Sequence, residues 1–272
     1  MREQFPFFKA HPNLVYLDTA ATSQKPQALL DSLQNYYIND NANVHRGLYK
    51  LAYDTTEAYE SVRQQVADFL HAQSAEEIIF THGTTDSLNL VASAFGPHAV
   101  PTGGRIVVSG AEHHSNFIPW QQLAKRQQAT FVVTPVHSDG TVDVPALLAA
   151  ITPGTNLVAI AQVTNVAGDT LPVAKIVKKA HDMGAFVVVD GAQAVAHMSV
   201  DVQALGADFY AFSGHKIYGP TGIGALYGRA DLLAKMPPIQ FGGEMISEVR
   251  DQGSTWQMGR SSMRPVRLTL PV

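Results

Sequence analysis

Ala185-Phe-Val-Val-Val-Asp190-Gly-Ala-Gln193 and, about one strand-helix unit later, Phe209-Tyr-Ala-Phe-Ser213-Gly-His215-Lys216 decide how this chain is read. Each begins with an apolar run too continuous for a strand with one wet face, as expected of strands buried on both sides of a mainly parallel sheet. The first run ends in a carboxylate. The second ends in a lysine with hydroxyl and imidazole neighbours. Parallel strands deliver their last residues to one sheet edge, and open α/β sheets bind ligands just beyond those carboxyl ends. Asp190 and Lys216 are therefore expected to face one another across a ligand.

Working outward, short apolar runs at 77–80, 105–108, 130–133, 156–161, 185–189, 207–212 and 224–227 predict seven strands. Segments 84–95, 117–127, 144–150 and 173–183 carry apolar residues at three- and four-residue intervals and fit connecting helices. Strands alternating with helices predict an α/β sandwich with a mostly parallel sheet, since seven strands fall short of an eightfold barrel. Residues 1–75 differ: an extended 14–18, a polar loop and an amphipathic helix over about 55–70. They are read as an N-terminal arm packing on a large domain, 76–257, with an aberrant tail at 258–272.

Composition narrows the function. At 46% hydrophobic and 15% charged, the 272 residues suit a packed α/β body and exclude disorder. With 19 basic against 23 acidic side chains, a net charge of −4 gives no electrostatic footprint for nucleic acid or an anionic membrane. No apolar run reaches the roughly 18 residues that span a bilayer. The opening Met1-Arg-Glu-Gln-Phe-Pro-Phe-Phe-Lys9 does not resemble a signal peptide, so the expected location is cytoplasmic. The chain contains no cysteine.

A carboxylate after a buried run is too costly to leave alone. A protonated pyridine nitrogen would compensate Asp190, and Lys216 would condense with an aldehyde on the same ring, which together describe pyridoxal 5'-phosphate (PLP). Alone, Asp190 reads equally well as a turn cap through Gly191, and a lone lysine is most often solvated. The phosphate would sit at Thr81-His-Gly83-Thr84-Thr85-Asp-Ser87, where glycine admits close approach and a helix start offers N–H groups and its positive dipole end. An ordinary Thr N-cap is the competing reading. Ser213 and His215 are expected to reach the same anion. In Glu112-His113-His114-Ser-Asn116, His113 is expected to stack on the ring or carry a proton, having an ordinary pKa of about 6.5. A locally bonded loop histidine and a metal ligand compete. Adjacent histidines in an extended loop point apart and no third ligand is evident, so no metal is expected. Asn165 is expected near the substrate and Gln193 near the ring hydroxyl, though each alone reads as a turn residue. Gly219-Pro-Thr-Gly222-Ile-Gly224 has the wrong spacing for a dinucleotide fingerprint, and Lys216 precedes it, unlike a P-loop lysine. It is read as a flexible hinge for the lysine.

Together these segments resemble a known family: the class V aminotransferase-like, fold-type I PLP enzymes, and within them the SufS/CsdA-type cysteine desulfurases. The resemblance runs from residue 14 to about 256 through Tyr16-Leu-Asp-Thr-Ala-Ala-Thr22, Asn41-Ala-Asn-Val-His-Arg-Gly47, Thr81-His-Gly-Thr-Thr85, Glu112-His-His-Ser-Asn116, Asp190-Gly-Ala-Gln193 and Phe209 to Gly224. It implies that Lys216 carries PLP, Asp190 pairs with its nitrogen, His113 stacks on its ring and Gln193 contacts its hydroxyl. Thr84, Thr85, Ser213 and His215 would hold the phosphate, Asn165 the substrate, and His45 and Arg46 would lie near the cleft mouth. It further implies L-cysteine as substrate, L-alanine as product, a sulfur-acceptor protein serving iron-sulfur cluster assembly, and a homodimer.

One departure stands out. The family's desulfurases attack PLP-bound cysteine with a cysteine thiolate from a small C-terminal domain, and this chain has no thiol. The sequence after Gln257 also departs from the family pattern. The expectation is thus a C-terminally truncated desulfurase unable to complete desulfuration by itself. A non-catalytic PLP-binding fragment and a thiol-independent PLP lyase or racemase are the alternatives.

Overall fold

Seven short apolar runs form one sheet: β1 (Ile78–Thr81), β2 (Arg105–Ser109), β3 (Thr130–Thr134), β4 (Leu157–Ala161), β5 (Phe186–Asp190), β6 (Phe209–Ser213) and β7 (Gly224–Gly228). The computed structural model describes residues 1–45, 47–243 and 245–256. Among these, the helices are α1 (Pro6–Ala10), α2 (Gln27–Asn35), α3 (Lys50–Phe69), α4 (Thr84–Leu90), α5 (Gly96–Ala99), α6 (Ile118–Arg126), α7 (Val144–Ala150), α8 (Val173–Asp182), α9 (Val202–Leu205) and α10 (Ala230–Leu233). A π-helical segment, Val91–Phe95, joins α4 to α5. The predicted tail, 258–272, lies outside the described residues, as does Arg46.

The strand order is β1-β7-β6-β5-β4-β2-β3. Strands β3, β2, β4, β5 and β6 are parallel neighbours, while β7 runs antiparallel between β6 and β1. The mostly parallel sheet expected from the sequence is present. Side chains alternate along each strand, so its two faces feed two cores. Ile78, Phe80, Val107, Val158, Val187, Val189 and Tyr210 join α3, α7 and α8 on one face. Ile79, Ile106, Val108, Leu157, Val188 and Phe209 join Leu88, Phe95, Trp120 and Leu123 on the other. Each such side chain contributes about 2 kcal/mol relative to exposure.

This topology creates a switch point. From β2 the chain moves outward to β3, then returns past β2 to β4 and proceeds through β5 to β6. The carboxyl ends of β2 and β4 therefore diverge into connections on opposite sides, which opens a crevice there.

The structure departs from expectation mainly before β1. The helix predicted over about 55–70 begins at Lys50. Its first turn is held by a surface Lys50–Asp54 pair and exposes Leu51 and Tyr53, so apolar periodicity does not mark its start. Helix α2 lies inside the predicted polar loop and buries no residue, leaving no core-facing stripe to recognise. The hairpin of β8 (Ile246–Arg250) and β9 (Gly253–Trp256) was not anticipated, and every residue in it is exposed.

At the opposite edge of the sheet, fully buried Asp208 joins three elements. It accepts hydrogen bonds from Val187 N at 2.7 Å, His181 Nε2 at 2.9 Å and Arg229 Nη1 at 3.0 Å. The Asp208 bond raises the His181 pKa above its ordinary value. Removing the shared acceptor leaves a buried N–H unpaired, so Asp208→Ala is expected to lower unfolding stability in urea by about 3 kcal/mol. A raised imidazole pKa stabilises the fold most at low pH. The stability gap between wild type and His181→Ala should be widest below about pH 6.5 and close as pH rises through the raised value.

Candidate active site

Strands β5 and β6 pair with Asp190 opposite Ala211, and the chain beyond β6 turns through Gly214–Lys216. Asp190 is buried, 6% exposed, and among the described residues its carboxylate accepts one hydrogen bond, from Ala192 N at 2.9 Å. Burial raises its pKa, while Lys216 and His113 pull it back. Half-buried Lys216 has its pKa lowered by burial, against the opposing field of Asp190. Its amine makes no hydrogen bond among the described residues. His113 has its pKa lowered by burial and then by Lys216, with Asp190 opposing. The three groups predicted from three separate segments thus sense one another across one space.

The glycine turn lies beside them. Gly83 has φ +140°, a conformation side chains rarely adopt, and an added Cβ would stand 3.2 Å from Ser213 Oγ. That oxygen accepts from Thr84 N at 2.8 Å and pairs with Thr84 Oγ1 at 2.7 Å. Thr85 Oγ1 meets Ser115 Oγ at 2.7 Å, and Ser115 Oγ lies 3.0 Å from His113 Nδ1. A hydroxyl chain therefore links the turn to the imidazole. His113 Nδ1 also accepts from Ser115 N at 3.1 Å, which assigns the proton of the neutral ring to Nε2.

Other predicted residues are placed differently. The His113 segment is not extended: it turns into a short 3-10 helix, His114–Asn116, capped by His113. His215 Nδ1 lies 3.2 Å from Thr22 Oγ1, with burial lowering its pKa. Gln193 donates through Nε2 to Ala20 O at 2.9 Å. Asn165 occupies the turn after β4, and among the described residues no hydrogen bond ties its side chain to the Asp190 group. His45 Nε2 is 3.4 Å from Glu60 Oε1 on α3. The glycines after Lys216 form no open hinge. Gly214 N donates to Ile223 O and Gly219 N to Gly214 O, both at 2.9 Å, and a Cβ at Gly219 would strike the Gly214 carbonyl. The small size of Gly219 and Gly224 serves close backbone approach, whereas Gly222 takes φ +80°.

Sequence reasoning gave no role to Glu112, which fills the switch point between β2 and β4. Its Oε1 accepts from Ala161 N at 3.0 Å and its Oε2 from Asn116 Nδ2 at 2.6 Å. Trp120 Nε1, a donor only, takes Asn116 Oδ1 at 2.9 Å and so fixes that amide's orientation. Burial pushes the Glu112 carboxyl up to about 8, with Asp190 adding to the effect and the two donors opposing it. The available signal was a glutamate four residues before an asparagine at the start of a helix. Tyr210 was also missed as more than core: its hydroxyl donates to Gln162 Oε1 at 2.6 Å, and its ring packs where a Cβ on Gly191 would stand.

The model of the aminotransferase class-V family matches residues 15–264. The chain belongs to that family. It is 50% identical over 260 residues to a cysteine desulfurase of Dickeya dadantii, covering 94% of this chain and 63% of that protein. A probable cysteine desulfurase of Halalkalibacterium halodurans is 49% identical, again over 94% of this chain and 64% of the relative. The chain thus spans just under two thirds of these curated relatives. The crystal structure of the cysteine desulfurase CsdA from Escherichia coli superposes with a TM-score of 0.90 at 41% identity, over 99% of this chain and 67% of that one. Class V aminotransferases use PLP. The donor set here fits such a group: a buried carboxylate with a single protein donor, an amine of lowered pKa, and a glycine turn closed by hydroxyls.

Glu112 offers a direct test. Because its folded pKa lies above the ordinary carboxyl value, its contribution to stability falls as pH rises from about 4.5 towards 8. Urea unfolding of Glu112→Gln should show a flatter pH dependence than wild type across that interval.

Proposed function

We propose that this chain forms the PLP-binding body of a cysteine desulfurase, of the type that converts L-cysteine to L-alanine and passes sulfur to an acceptor protein for iron-sulfur cluster assembly. The observation carrying this reading is the convergence, at the carboxyl edge of the sheet, of buried Asp190, the turn that carries Lys216 and the glycine turn closed by Thr84 on Ser213. Similarity to desulfurases over 94% of the chain supports it. In this reading PLP, when bound, supplies the electron sink for chemistry at the amino acid's α-carbon.

Each side chain then has a task. Asp190 holds a proton at the ring nitrogen, which its burial makes effective by excluding water. Lys216 anchors the cofactor, and its lowered pKa favours the neutral, nucleophilic amine. His113 would stack on the ring, with Nε2 free to carry a proton because Nδ1 is occupied by Ser115. Thr84, Thr85, Ser213 and His215 bind the phosphate, Gln193 the ring hydroxyl and Asn165 the substrate. A cytoplasmic homodimer, with no nucleic-acid or membrane partner, completes the proposal.

Sulfur transfer also requires a thiolate, and these 272 residues hold no cysteine. That observation favours a second reading, in which the chain alone binds PLP without completing desulfuration. After incubation with PLP and gel filtration, wild type should retain a visible absorbance band. Lys216→Ala should lose it, and Asp190→Ala should weaken retention about tenfold or more. Retention without sulfide release from L-cysteine supports the second reading. Sulfide release would establish self-sufficient desulfuration, and deuterium exchange at the α-carbon would point to a lyase or racemase.

A further inference from the structure

The segment Tyr16–Thr22, which the site chemistry leaves without a role, leads into a set of contacts centred on the turn that carries Lys216. The carbonyl of His215, immediately before the lysine, receives Ser23 N and Ser23 Oγ at 2.9 Å, Lys25 Nζ at 3.1 Å and Thr22 Oγ1 at 3.3 Å. A carbonyl has two lone pairs, so four converging donors exceed what simple satisfaction of a backbone group requires. Ser23 Oγ also accepts from Tyr218 N at 2.8 Å, on the far side of the lysine. One hydroxyl, on a residue 2% exposed, therefore spans the turn from position 215 to position 218. Tyr218 has φ +69°, a left-handed conformation that a bulky residue adopts only when its surroundings hold it. The same segment accepts the Gln193 amide at Ala20 O, which ties it to the loop after Asp190.

We propose that Thr22–Lys25 is a buckle that positions Lys216, with Ser23 as its central positioning residue. The buckle rests on the reading of Lys216 as the cofactor lysine and adds how its amine is held towards Asp190. Ser23 bonds only backbone groups on either side of Lys216 and touches none of the reacting atoms. Its effect is geometric: fixing both flanks of the turn limits where the lysine stem can start. The charged and titratable groups facing Lys216 are Asp190, His113 and His215, and Lys25 acts on His215.

The test is competitive acetylation of the full chain, without cofactor, by limiting acetic anhydride at graded pH. Lys216 is read by peptide mass against exposed Lys175 in the same molecules. In wild type, Lys216 should titrate below the reference lysine. Ser23→Ala should move it towards the reference by about half a pH unit or more, about threefold in rate at fixed pH. Ser23→Cys, which keeps the volume and weakens both hydrogen bonds, should shift it in the same direction and covers the case in which the alanine variant does not fold. Leu147→Ala, which opens the core on α7, should lower the melting temperature and leave the Lys216 profile unchanged. Should the Ser23 variants melt earlier yet keep the wild-type profile, Ser23 is only a structural tie and the buckle is wrong. A wild-type Lys216 indistinguishable from Lys175 would instead overturn the reading of the lysine itself.

Discussion

A carboxylate held away from water at the rim of a sheet constrains everything around it. Asp190 is buried with one protein donor, and such a charge is sustained only by an opposite charge or further donors. Lys216, on the turn after the next strand, supplies part of that compensation, and Asp190 in turn favours the protonated amine against the burial that lowers its pKa. The two groups must therefore stay near one another, which requires β5 and β6 to be parallel neighbours with ends in register. The rest of the site can be understood as the apparatus that keeps this arrangement in place.

Three segments converge on it, two of them from the ends of strands. The turn after β1 brings Gly83 and Thr84 against Ser213, the loop after β2 brings His113, and the segment before the sheet closes over the His215 carbonyl. Glu112 joins the ends of β2 and β4 at the switch point. Asp190 adds to the burial that raises the Glu112 pKa, so charge on one side of the crevice bears on the other. The site's electrostatics thus depend on loops far apart in the chain.

Much of this was legible in the sequence because the signals were of the kind that pattern carries. Unbroken apolar runs such as Phe186–Val189 mark doubly buried strands, and all seven were located to within a few residues. Asp190, Lys216, His113 and Gly83 were legible because each follows directly from the end of a strand. What stayed hidden were contacts with no periodicity. Helix α2 buries nothing, so its residues match a loop. Ser23 reaches a partner 192 positions away, which no local spacing reveals. Gly219 and Gly224 looked like freedom and serve close backbone approach, while Gly222 does take a left-handed φ of +80°, because glycine has the same signature in both roles. Glu112 lay within a quoted motif, but its importance comes from Ala161, a neighbour only through the strand order.

The antiparallel strand β7 has a consequence for biogenesis. Because β1, among the described residues, pairs only with β7, with Ile78 opposite Tyr227, the first of the seven strands in the chain is among the last of them to be paired. Until Gly228 has emerged, β1 presents an open hydrogen-bonding edge, the state in which nascent chains are most exposed to mispairing. The glycine turn that follows β1 likewise waits for Ser213, at the end of β6. A nascent chain stalled before Ser213 would thus have strands but no completed glycine turn.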